Sequence, residues 1–299
     1  MTFLSVLFAL FIERVLEQYR PERRHAWFGG YCRRMSSLLP GRWLMQRPWG
    51  PVIVLLPLLI AIGWLQALFN DLGSLFAFGF STGVLLYALG PRDLGDDAEA
   101  FVQARDRGQD QRATDLAQAL CLGEAADVEP RRSLGVARAI VILANRRLIG
   151  PIFWFVLFGA VGAAAYRAVQ LLAEHMQGED CPAPMKRYSD EVRHIADWAP
   201  ARITAVGYAI AGNFDAVAHA WRNFDYVPGD GPLTEAEHLL AHTGLAALDT
   251  LPDEVEEFGA TGDATLLPPV VEDAMALVWR SLAAWVTAIA AGSLVAALA

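Results

Sequence analysis

The sequence predicts an all-α, polytopic integral membrane protein, with four or more transmembrane helices joined to amphipathic and extramembrane helices. Three observations carry that expectation. Of 299 residues, 55% are hydrophobic and only 19% charged, and the mean hydropathy is +0.31, a balance unusual for a water-soluble globule. The apolar residues gather in uninterrupted runs of bilayer length. The arginines gather beside those runs, where topology rather than chemistry asks for them.

Taken in order, residues 2–12 (TFLSVLFALFI) are apolar but short, and basic residues follow them instead of preceding them. A retained, tilted or partly inserted helix is expected there, not a cleaved signal. Residues 13–49 carry eight arginines against three glutamates, which the positive-inside rule assigns to the cytoplasm. Residues 51–70 form a run without charge, long enough at about 1.5 Å per residue to cross about 30 Å of hydrocarbon. Residues 72–91 follow after Asp71 as the return arm of a tight helical hairpin.

Residues 92–148 then lie on the cytoplasmic side with nine further arginines. Helical spacing marks Asp96 to Arg107 and Gln109 to Leu122, a loop is expected over Gly123 to Pro130, and residues 134–145 are apolar enough to lie on the bilayer or on another helix. Residues 149–166 and 281–299 read as a third and a fourth span. Between them the segment 173–279 is acidic, with 19 acids against five bases. Counting spans puts that segment outside, whereas Arg280 argues the reverse; a short or re-entrant helix over 201–214, opening on Pro200, would reconcile the two. Thr234 followed by Glu237 marks the capping box of an ordinary helix. Three regions result: 1–91, with the N-terminal helix, basic segment and hairpin; 92–148, cytoplasmic and helical; and 149–299, a membrane region with an acidic helical loop and a final span.

Several chemistries lack their residues. Lysine occurs once, at Lys186, and outside any glycine-rich loop, so a Walker-type phosphate site is excluded. Cys32, Cys121 and Cys181 show no CxxC and read as inert thiols. His238 and His242 are four apart without the glutamate of HExxH, so a solvated helix face is the plainer reading than zinc. The acidic run 253–257 lacks the spaced ligands and glycine of a calcium loop. No metal and no cofactor are expected, and the arginines beside the spans suit anionic lipid better than nucleic acid.

Three polar clusters border the apolar segments: Asn145, Arg146 and Arg147 before the third span; Tyr166, Arg167 and Gln170 at its end; and Asp197, Trp198 and Arg202 around Pro200. Ionisable residues at membrane depth are costly and point to function. The plain alternative has Arg146, Arg147 and Arg167 reaching for headgroups, and Asp197 with Arg202 forming an ion pair or cap.

The stretches GPIFWFVLFGAVGAAAYRAVQLL (150–172) and DWAPARITAVGYAIAGNF (197–214), with the opening LFALFIERV, resemble the AmpE family, within a superfamily that includes the CobD/CbiB proteins of cobalamin biosynthesis. The positions shared with those synthases are Pro151, Tyr166, Arg167, Ala168, Val169, Pro200, Ala201 and Arg202. The resemblance implies a multi-pass bacterial inner-membrane protein, a non-catalytic ligand-sensing accessory linked to β-lactamase induction and peptidoglycan-recycling signals, with a protein partner in that regulation. Tyr166, Arg167, Gln170, Asp197, Trp198, Arg202, Asn145 and Arg146 are the ligand-binding candidates, for a small anionic ligand, and no catalytic residue is assigned. The oligomeric state is left open.

Departures from the synthase pattern favour this branch. Gln170 to His175 replaces its Asn-Thr-Leu-Asp-Ser-Met, Arg193 and His194 stand near its Asp-Asp pair, and Leu143 to Arg147 contains no carboxylate. A ligase that uses magnesium and ATP needs such acids. The alternative is a diverged CobD/CbiB-like ligase or transferase acting on a phosphorylated ligand.

Overall fold

A computed structural model describes residues 2–15, 26–38, 47–89, 94–121, 131–176, 183–226, 233–249 and 269–298. The described residues contain helices and no strand. The chain divides into two compact bodies, one of Met1–Pro91 with Gly150–Ala199 and one of Arg92–Ile149 with Pro200–Ala299. By length and composition, Gly50–Leu72, Arg131–Met176 and Val270–Val295 are able to cross a membrane. The expected loop 123–130, the acidic run 253–257 and Cys181 lie outside the described residues.

The first body holds α1 (Thr2–Val15), α2 (Ala26–Leu38), α3 (Gly50–Leu72), α4 (Ser74–Ala88), α8 (Gly150–Met176) and most of α9 (Ala183–Ala211). Helix α3 starts with Pro51 in its first turn, where the missing N–H is no loss, and presents Val52, Leu56, Ile60, Trp64, Leu68 and Leu72 exposed at intervals of four. Such a stripe along one face has no place in water; it is a lipid-facing surface. Gly73, at φ 125°, turns the chain directly into α4, as the expected hairpin requires. Helix α4 is 15 residues long, shorter than the expected return arm.

Helix α8 corrects the sequence reading. The stretch 149–166 is not one straight span: Gly159 adopts φ 65° and ψ −150°, outside the helical region, and joins two helical halves. Their contacts give the direction. A Cβ on Gly150 would overlap the Tyr166 ring, and one on Gly162 would overlap the Trp154 carbonyl oxygen. In a straight helix residues 150 and 166 would be roughly 24 Å apart. The halves 150–158 and 160–176 therefore run antiparallel from an apex at Gly159, and glycine at 150 and 162 permits the close approach.

The second half packs on α3. Gln66 accepts the Val161 N–H at 3.2 Å, while Val54 and Leu55 cluster with Leu171 and Leu172, so the two run in opposite directions. A helical reversal thus occurs within 150–176 and not at 201–214. Residues 201–211 are the end of α9, with Pro200 inside that helix instead of at the start of a new one. Hydropathy counts apolar length and is blind to a reversal in the middle of it.

The second body holds α5 (Leu94–Asp106), α6 (Asp110–Leu120), α7 (Arg131–Ala144) with a π-turn over Asn145–Ile149, the end of α9, α10 (Phe214–Arg222), α11 (Glu235–Ala247) and α12 (Val270–Leu298). Helices α5 and α6 fall where the helical spacing placed them. Helix α7 is the core element: Val136, Ala137, Ile140, Val141 and Ala144 are fully buried, in one cluster with Val271, Ala274, Leu277 and Val278 of α12. Gly244 of α11 lies so close to Val141 that a Cβ would sit 2.8 Å from it. The expected capping box opens α11, with Thr234 and Glu237 each bonding the other's backbone N–H.

Candidate functional site

In the first body three segments meet at Asp197, which is 1% exposed. Tyr166 and Gln170 are one helical turn apart on α8, so both face α9. The Tyr166 hydroxyl donates to Asp197 Oδ1 at 2.7 Å, and the Gln170 side-chain amide donates to the same oxygen at 2.8 Å. From the other half of the α8 hairpin, Trp154 Nε1 donates to the Ala196 carbonyl at 3.0 Å. The hairpin places Gly150 against the Tyr166 ring from the far side. Asp197 is thus a buried carboxylate whose Oδ1 accepts from two neutral side-chain donors, an arrangement that fixes the position of the acid.

Arg167 is buried too, and borders a different feature, an apolar cavity of about 310 Å³ lined by α2, α3, α4 and α8. Trp198 is half exposed. Arg167 is therefore not the surface-exposed arginine of the plain alternative.

In the second body the π-turn carries Asn145, Arg146 and Arg147. Such turns widen the helix by one residue and recur at functional sites. Thr204 Oγ1 donates to Asn145 Oδ1 at 3.0 Å, with the Pro200 carbonyl at 2.8 Å. Arg146 pairs with Glu237, Arg147 with Asp97 at 3.0 Å, and Arg202 with Glu235 at 3.0 Å. Arg146 and Arg147 are therefore partnered inside the protein and do not reach for headgroups. The Arg202 pair is the most accessible, with the two side chains 28% and 27% exposed, against 12% and 3% for Arg146 and Glu237.

Asp97, Thr204, Glu235 and Glu237 were absent from the sequence reading of the site. Leu143 to Arg147 indeed contains no carboxylate, yet the fold brings Asp97 and Glu237 to it from remote helices. Glu237 was legible only as a cap residue, and nothing in its local sequence announces Arg146. His238 and His242 border a cavity of about 340 Å³ together with Arg131 and Arg138, neighbours that disfavour a cation there. Among the described residues no three His, Cys, Asp or Glu side chains gather as a metal set.

These features define a helical membrane protein with a helical reversal and buried, carboxylate-partnered polar residues. The family model for the CobD/Cbib protein matches residues 6–228, and the chain belongs to the CobD/CbiB family. It is 28% identical over 302 residues, covering 95% of each chain, to the cobalamin biosynthesis protein CobD of Stutzerimonas stutzeri (strain A1501). No solved structure matches.

Proposed function

We propose that this chain serves in cobalamin biosynthesis as a membrane-bound ligase or transferase of the CobD/CbiB kind, acting on a ligand that carries phosphate or carboxylate. One observation carries the reading: within the first body the buried Asp197 is held at 2.7 Å by Tyr166, which opens the stretch Tyr166-Arg167-Ala168-Val169 that resembles that family. Asp197 is the group suited to receive a proton from an attacking amine. Arg202, in the most accessible of the three arginine pairs described above, is suited to exchange Glu235 for a ligand's anionic oxygens. A magnesium–nucleotide complex is the energy source such ligation employs; the described residues supply no three-acid set for magnesium, and no step is assigned to it.

The sequence departures at Gln170 to His175 and at Arg193 and His194 favour a second reading. In it the chain is of AmpE type, a non-catalytic inner-membrane sensor linked to β-lactamase induction. A strain lacking this chain separates the two. Lost cobalamin-dependent growth, restored by the wild-type chain and not by Asp197→Asn, supports ligation. Intact growth with altered β-lactamase induction overturns ligation and supports sensing.

A further inference from the structure

The first body contains an apolar cavity that the polar network around Asp197 does not use. Its walls come from Trp27 and Phe28 on α2, Leu58 and Ile62 on α3, the Gly79 to Tyr87 face of α4, and Ala164 to Leu171 on α8. Three features single it out. It is built on the α3–α4 hairpin, whose outer face is lipid-facing, so hydrocarbon rather than water is its surrounding medium. Gly79 and Gly83 are exposed, with no atom within 4 Å of where a Cβ would stand, so the slot opens sideways along α4. Among the described residues its one charged lining residue is Arg167, 6% exposed.

We propose that this cavity binds one anionic glycerophospholipid from the bilayer, with an acyl chain in the slot and the phosphate at Arg167. The volume of about 310 Å³ accommodates roughly ten methylene groups if each takes about the volume of a water molecule. That is a large part of one acyl chain. The rim has the chemistry of a membrane interface: Trp27, half exposed, donates through Nε1 to the Tyr87 hydroxyl at 2.7 Å. The same α2 carries Arg33 and Arg34, both exposed, within the arginine-rich segment 13–49. A negatively charged headgroup therefore gains an attraction at Arg167 that a zwitterionic one largely forgoes. Lipid binding in this slot is independent of the reaction or signal the chain serves.

The test uses the full chain, purified in mild detergent and examined by native mass spectrometry after reconstitution with phosphatidylglycerol or phosphatidylcholine. One retained phosphatidylglycerol per chain is expected, bound roughly fivefold more tightly than phosphatidylcholine, the discrimination one basic contact near the surface supplies. A Cβ at position 83 meets nothing within 4 Å, so Gly83→Leu places its side chain in the slot and improves helix propensity; it should keep the fold and lose the lipid. Arg167→Gln should keep an acyl-chain adduct and lose the headgroup preference. A wild-type chain free of lipid, equal retention by Gly83→Leu, equal binding of the two lipids, or binding of inorganic phosphate alone would each overturn the proposal. Should Arg167→Gln fail to fold, Gly83→Leu still decides it.

Discussion

Gln66 on α3 accepts the backbone N–H of Val161 through Oε1 at 3.2 Å. Val161 opens the second half of α8, just past the reversal at Gly159, where a helix start leaves N–H groups without intrahelical acceptors. At bilayer depth no water is present to satisfy them, so a side chain must. Gln66→Leu removes that acceptor and should destabilise the protein by about 1–3 kcal/mol. Thermal unfolding in detergent measures it, and an unchanged midpoint would show that the Val161 amide finds its acceptor elsewhere.

The reversal carries a prediction for membrane topology. With residues 150–158 and 160–176 antiparallel from the Gly159 apex, the chain should return to the side from which it entered. Single cysteines at Gln109 and Glu191, in a chain stripped of its native thiols, should both react with an impermeant maleimide from the same side of sealed vesicles. Reaction from opposite sides would restore a straight span.

These two cases mark where the sequence was and was not informative. Helix α3 was legible because an uncharged run of the right length has few other fates, and the Thr234–Glu237 cap because it is a contact between near neighbours in the chain. The Gly159 reversal was not legible, since residues on both sides of it are equally apolar. Gly159 and Gly162 carry the only local trace, and glycine is common in spans. At the candidate site, Tyr166, Gln170 and Asp197 were singled out because polar residues beside apolar runs are conspicuous. Their shared contact, and the pairs of Arg146 with Glu237 and Arg147 with Asp97, depend on tertiary contacts between distant helices that no periodicity encodes.

The Asp197 network makes a graded prediction. Tyr166→Phe and Gln170→Leu each remove one donor from a buried carboxylate oxygen and should cost about 1.5–3 kcal/mol apiece, the range for hydrogen bonds to charged groups. Because both donate to one atom, the double variant should depart from additivity by about 0.5 kcal/mol or more. Chemical denaturation of the four proteins gives the coupling. Strict additivity would mean that Tyr166 and Gln170 act independently, and that Asp197 is held chiefly by other groups.

Arg146 and Glu237 permit a sharper separation of structure from function. Both side chains are largely buried, at 12% and 3% exposure, so removing one partner leaves an uncompensated charge out of water. Arg146→Met alone should therefore cost about 3–5 kcal/mol, while Arg146→Met combined with Glu237→Leu should recover most of the loss, since a well-packed apolar pair often replaces a buried ion pair at little or no cost. The capping hydrogen bond from the Thr234 N–H to Glu237 Oε2 at 2.8 Å disappears with Glu237→Leu, so the recovery should fall short by about 1 kcal/mol. If Arg146 serves only to neutralise Glu237, the double variant regains biological activity along with stability. If Arg146 also binds a ligand, stability returns and activity does not. Unfolding midpoints and complementation of the deletion strain, measured on the same variants, distinguish the two outcomes.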